Sequence, residues 1–151
     1  MKLITAVFFL TSVLAQAAPI KPESVAILYN SQVPESKELA EFYAQMRKIP
    51  AANLVGLALS DKDEITRQQF DTTLRDPLRK VFLDRKWWLM GTDPNGRQFP
   101  TFSKITTLVT VRGVPFKIQR DAKIVDTSKK LPAHFASANE AAVDSELCLL
   151  G

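Results

Sequence analysis

The sequence predicts an α/β domain: a mostly parallel sheet in three layers, with strand and helix alternating along the chain. Two observations predict it. The apolar run at residues 24–30 lacks the alternation of a half-exposed strand and suits a strand covered on both faces, and residues 53–59 and 104–111 read as two further strands. Segments of helical periodicity lie between or after these strands, and that alternation is the signature of a parallel sheet with right-handed crossovers.

The elements follow in order. Val25-Ala26-Ile27-Leu28-Tyr29 is the first strand, with Ser24 before it and Asn30 after it. Ser36 is an N-cap candidate, and Leu39, Phe42, Tyr43 and Met46 recur at i, i+3, i+4, i+7 as one helical face. Glu35, Glu38 and Glu41 near the start and Arg47 and Lys48 at the end complement the helix dipole, and Pro50 stops the helix. Residues 53–59 form the second strand. Thr66 with Gln69 makes a capping box, stapled by Ile65 and Phe70, for a helix carrying Leu74, Leu78, Val81 and Phe82. Pro77 is expected to kink this helix or restart it with Asp76 as a new cap. Residues 87–90 fit either a helix end or a short strand. Thr92-Asp93-Pro94-Asn95-Gly96 is turn chemistry. Residues 104–111, rich in β-branched side chains, form the third strand, ended by Gly113 and Pro115. Residues 116–131 read as irregular. Ser137 with Glu140 resembles a capping box for a last helix bearing Val143, Leu147 and Leu150. The pattern is Rossmann-like. Because three strands make a narrow sheet with exposed edges, the domain is expected to be incomplete, the front part of a longer one.

The chain has 151 residues, of which 46% are hydrophobic and 24% charged, which are globular proportions for one domain. One Cys and one His exclude an internal disulfide framework and a structural zinc site. Residues 1–17 read as a cleaved signal peptide. Lys2 starts it, an apolar run follows to Leu14, and Ala15-Gln16-Ala17 supplies the small-x-small cleavage pattern. The run is about a dozen residues, short of the roughly twenty that span a bilayer. Residues 18–23 are then a short leader, residues 24–151 the domain, and the mature protein is exported, periplasmic or secreted, with no membrane span. Cleavage takes Lys2, leaving 19 of the 20 Lys and Arg against 16 Asp and Glu, a net charge of +3. That is too weak to imply a nucleic-acid partner without a clustered patch.

Ligands of open α/β sheets sit at the carboxyl ends of the strands, where the strand order reverses. This rule selects Asn30 and Ser31 after the first strand, Ser60, Asp61 and Asp63 after the second, and Arg112 and Gly113 after the third. Asp144 and Glu146 join them because capping and helix termination do not require them. The candidate crevice is thus Asn30, Ser31, Asp61, Arg112, Gly113, Asp144 and Glu146. Neither glycine-rich phosphate motif is present, so no nucleotide cofactor is expected. No metal is expected either. A magnesium or calcium site from Asp61, Asp63 and Asp144 is the alternative, although their spacing matches no EF-hand loop. Cys148, between Leu147 and Leu149, reads as a core thiol, and His134 as a surface residue, rather than as a nucleophile and its base. Arg67, Arg75, Arg79, Lys80, Arg85 and Lys86 read as a solvated basic face. The alternative is an anionic polymer there, stacked on Trp87 and Trp88.

Several blocks occur in a fixed order: Asn30-Ser31, Ser36 through Tyr43-Ala44, Arg47-Lys48-Ile49-Pro50, Asn53-Leu54-Val55, residues 65–70, Pro77, Arg112-Gly113-Val114-Pro115 and Val143-Asp144-Ser145-Glu146-Leu147. Over about residues 24–150 this resembles an uncharacterised family of exported bacterial proteins found in genomes with exosortase-type protein-sorting systems. The resemblance implies envelope placement and a longer chain. It implies no activity, cofactor or catalytic residue. Three readings follow: an exported module binding a protein or glycan partner at the cell envelope, a hydrolase-like enzyme whose site is completed by residues absent here, or a non-functional remnant. The hydrolase reading requires Asn30, Asp61, Arg112 and Asp144 to converge.

Overall fold

The computed structural model describes residues 19–125, 132 and 137–151. The signal peptide and His134 lie outside the described residues. In chain order the elements are β1 (Val25–Asn30), α1 (Pro34–Arg47), β2 (Leu54–Leu57), β3 (Glu64–Ile65), α2 (Arg67–Gln69), α3 (Asp76–Asp84), β4 (Trp88–Thr92), β5 (Gln98–Ser103), β6 (Thr107–Thr110), β7 (Lys117–Ile118), β8 (Ala141–Ala142) and α4 (Val143–Leu147). The molecule is mixed α/β. No helix among the described residues is long and apolar enough to cross a membrane.

The three segments read as strands form one parallel sheet in the order β2-β1-β6, with Ile27 opposite both Leu54 and Val109. Successive side chains of β1 take different partners, as the pleat requires. Val25 and Ile27 pack with Ala40, Ala44 and Ile49, whereas Ala26 and Leu28 pack with Phe70, Leu74, Leu78 and Phe82. A second small sheet, β3-β7-β8, and the β4–β5 hairpin complete the fold.

Helix α1 corrects two expectations. Val33 precedes it and Pro34 occupies its first turn, where a missing N–H costs nothing. Ser36 is therefore no cap; it is buried inside the helix, and its hydroxyl accepts the Asn30 N–H at 3.0 Å. Most of the apolar stripe is not the packing face either: Leu39, Phe42 and Met46 are 41%, 60% and 64% exposed, and of the four only Tyr43 packs, half-buried, beside β1. Ser36, Ala40 and Ala44 face β1 instead. A stripe of small side chains lets the helix axis approach the sheet more closely than a row of large ones.

The capping box at Thr66 and Gln69 forms. The α-helix does restart at Asp76 with Pro77 in its first turn, but Arg75 precedes it and Asp76 is no cap. A π-helical segment, Phe70–Arg75, links α2 to α3, and the Asp76 N–H reaches back five residues to the Asp71 carbonyl. The wider turn absorbs what proline would disrupt. Residues 87–90 enter a strand, β4, and the predicted turn joins it to β5. Residues 116–131 are not wholly irregular, since Lys117 and Ile118 pair with Glu64 and Ile65 in β3 and with Ala141 and Ala142 in β8. Ser137 and Glu140 do not open α4, which starts from Ala142. Cys148 is exposed, not a core thiol. Val143, Leu147 and Leu150 take the buried face of that last turn and leave the thiol outward.

The basic region is tied into the fold. Arg67 pairs with Glu146, Arg75 with Asp71 and Asp76, and Lys80 with Asp84. Arg85 donates to the carbonyls of Ala52 and Leu54 and lies over Trp87, and Arg79 lies over Trp88. The Arg75 guanidinium is held above its ordinary value, chiefly by its hydrogen bond to Asp76. Both tryptophans are buried, so neither can stack on an external base.

In the hairpin turn, Asp93 Oδ1 accepts the N–H groups of Asn95 and Arg97 at 2.8 and 2.9 Å, while Gly96 supplies the positive φ of 81°. These bonds, the Arg97 N–H first, hold the Asp93 carboxyl below its ordinary 3.8. Its contribution to the turn is therefore complete above 3.8 and is lost as the pH falls through the depressed folded value. Titration of the Asp93 carboxyl by carbon-detected NMR is expected to give a midpoint below 3.8. The Asn95 and Arg97 amides should lose protection only below that midpoint. A midpoint at the ordinary value would show that the turn does not hold the ionised carboxylate.

Candidate functional site

Asn30 ends the central strand and is fully buried. Its amide is saturated. Nδ2 donates to the Ser60 carbonyl at 3.1 Å and to the Gly113 carbonyl at 2.9 Å, and Oδ1 accepts from the N–H groups of Gln32 and Leu59 at 3.0 and 3.2 Å. One side chain thus ties together the segments that follow β1, β2 and β6. Gly113 is what permits the third tie. Its φ is 97°, and an added Cβ would sit 3.0 Å from both the Cβ and the Oγ of Ser36. Only glycine accepts that backbone without strain and that proximity without displacement.

A crevice of about 540 Å³ opens among these segments. Its polar lining is Glu35 and Ser36 from the first turn of α1, Asp61 and Asp63 from the loop after β2, and Arg112 and Gly113 after β6. Val33 and Leu39 add apolar wall. The strand order places this crevice at the switch point. β1 connects through α1 to β2 on one side, and β6 lies on the other. The start of α1 is a poor anion cradle. Pro34 has no N–H, and the N–H groups of Ser36 and Lys37 already donate to the Val33 carbonyl. Glu35, Asp61, Asp63 and Arg112 make no ion pair and no side-chain hydrogen bond among the described residues. Some cations elsewhere do have carboxylate partners, as in Arg97 with Asp93 and Lys117 with Glu64.

Of the residues selected from the sequence, Asp61, Arg112 and Gly113 line the crevice and Asn30 anchors its loops. Ser31 is exposed and is not among the lining residues; its N–H donates to the Leu57 carbonyl at 2.8 Å. Asp144 and Glu146 are elsewhere. Glu146 takes Arg67 in a two-pronged ion pair at 2.8 and 3.1 Å, joining α4 to the start of α2. Asp144 lines a different cavity of about 550 Å³ beside β6, whose apolar wall includes Phe82, Trp88, Phe99, Leu108, Leu147 and Leu150. That cavity also carries the Ser103, Thr106, Thr107 and Thr110 hydroxyls and the Cys148 thiol, but its one charged side chain is Asp144, whereas both signs of charge meet at the switch point. The set Asn30, Asp61, Arg112 and Asp144 does not line one cavity, nor do Asp61, Asp63 and Asp144. Among the described residues no group of three His, Cys, Asp or Glu side chains is placed to hold a metal. Glu35 and Ser36 escaped sequence reasoning. The signal was available, because the first helical turn after the first strand borders the crevice in this architecture.

Comparison with protein-family models, with curated proteins and with solved structures gives no match for this chain. The crevice is interpreted from its own chemistry.

Asn30→Ala strips partners from buried N–H and carbonyl groups in three segments and is expected to cost about 2–4 kcal/mol. Gly113→Ala forces a strained backbone and is expected to cost about 1–2 kcal/mol. Glu146→Ala, at a half-buried ion pair away from the crevice, should cost about 1 kcal/mol. Urea denaturation of the three variants checks the order. An Asn30→Ala cost no larger than that of Glu146→Ala would remove the anchoring role.

Proposed function

We propose that the chain is an exported binding module of the bacterial cell envelope, with a Rossmann-like, three-layer frame, which holds a polar ligand or the polar part of a protein or glycan partner in the switch-point crevice. The observation that carries this reading is the meeting of Glu35, Asp61, Asp63 and Arg112 on one cavity with their charges unpaired among the described residues. Side chains that only solubilise a surface need not gather where three loops are held by one buried amide. The layered frame is supported by β1, whose alternate residues pack against α1 and against the α2–α3 region. Export rests on the pattern of residues 1–17, and envelope placement on the family resemblance.

Binding is favoured over hydrolysis by the side chains available. Acyl transfer needs a nucleophile beside a base. The hydroxyl lining the crevice is Ser36, which is buried and already holds the Asn30 N–H. Asp144, the second carboxylate the hydrolase reading required, lines other cavities.

Two experiments test the reading. Expression in a Gram-negative host, followed by fractionation and N-terminal sequencing, should give a product outside the cytoplasm that begins at Ala18. Retention in the cytoplasm with Met1 in place removes export. A thermal-shift screen of cell-wall saccharides, peptides, amino acids and nucleotides should show at least one class that raises the melting temperature of wild type but not of Asp61→Asn/Arg112→Ala. If no compound does so, or if every stabilising compound acts equally on the double variant, the crevice is not the binding site.

A further inference from the structure

Resting on that reading, we propose that the crevice takes a small zwitterion, an α-amino acid carrying a second ammonium group on an aliphatic stem. Opposite charges line the same cavity: the Arg112 guanidinium against the carboxylates of Glu35, Asp61 and Asp63. None of these four makes an ion pair among the described residues. A ligand bearing both signs satisfies both without asking either protein group to find an internal partner. Arg112 is the group suited to a carboxylate, since its planar fork can take both oxygens. The helix start adds little to it, because the N–H groups of Ser36 and Lys37 are already occupied. That argues against an ordinary anion such as phosphate, which the three surrounding carboxylates would repel.

The charge count sets the rest of the ligand. Three carboxylates face one guanidinium, so a ligand with one carboxylate and two ammonium groups matches the lining better than a simple amino acid. Val33 and Leu39 supply apolar wall for a methylene stem between the charged ends. A volume of about 540 Å³ is ample for such a molecule.

The test uses L-lysine as the probe and three controls: lysinamide, which lacks the carboxylate; norleucine, which lacks the second ammonium; and cadaverine, which lacks the carboxylate and keeps both amines. Amide NMR of the purified mature chain at low ionic strength is expected to show saturable shifts at Ser36, Asp61 and Gly113 with lysine. Lysinamide, norleucine and cadaverine should each bind at least tenfold more weakly. Arg112→Ala should abolish the preference for lysine over lysinamide, and Asp61→Asn/Asp63→Asn the preference for lysine over norleucine. Both variants alter exposed side chains, and their amide spectra report whether they remain folded. No saturable shift with lysine at millimolar concentration overturns the proposal. So does equal binding of lysinamide, or a lysine preference that survives both variants. Should lysine fail while another compound from the thermal-shift screen loses its effect in Asp61→Asn/Arg112→Ala, this ligand class falls and the binding-module reading stands.

Discussion

A single saturated amide governs the end of this molecule where the crevice opens. The end of a central parallel strand is enclosed by the turns that leave its neighbours, and their backbone groups must find partners away from water. Asn30 answers that demand with both donors and both acceptors in use. An aliphatic side chain there would leave the carbonyls of Ser60 and Gly113 and the N–H of Leu59 without this partner. An acid would present oxygen to oxygen at two of the four contacts. The crevice exists because its walls are tied to this one post.

Close packing supports the same end of the fold. The small stripe of Ser36, Ala40 and Ala44 brings α1 down onto the sheet, which is why the Ser36 hydroxyl can reach the backbone of Asn30. Gly113 then slides against Ser36 where any side chain would collide. A second glycine plays a comparable part within the sheet. Gly56 in β2 leaves room for the ring of Tyr29, whose atoms would lie 2.5 Å from an added Cβ. Backbone proximity, more than large apolar contacts, shapes this side of the molecule.

The parallel sheet was legible because its central strand, β1, carries an uninterrupted buried apolar run, while β2 is a short apolar run and β6 is rich in β-branched residues. The second helix was legible through Thr66 and Gln69, whose capping chemistry is local. What escaped was non-local. β7 and β8 are two residues each and exist only through pairing partners far along the chain. α1 carries two stripes, and periodicity chose the larger residues while packing chose the smaller. The site followed the same division. Asp61, Arg112 and Gly113 were reached by a topological rule that needs only strand ends. Asp144 and Glu146 were chosen because no local role accounted for them, and Glu146 proves to have a distant one in Arg67.

If the Asn30 amide fastens the three loops, its own protons and those it accepts should be among the slowest to leave the folded chain. Hydrogen exchange in D2O, followed on the side-chain NH2 of Asn30 and the backbone N–H of Leu59, measures this directly. The account predicts that both persist to the timescale of global unfolding, far longer than the side-chain NH2 of Asn95 in the exposed hairpin turn. Exchange of Asn30 and Leu59 as fast as that of Asn95 would mean that the loops open independently and that no single post holds the crevice.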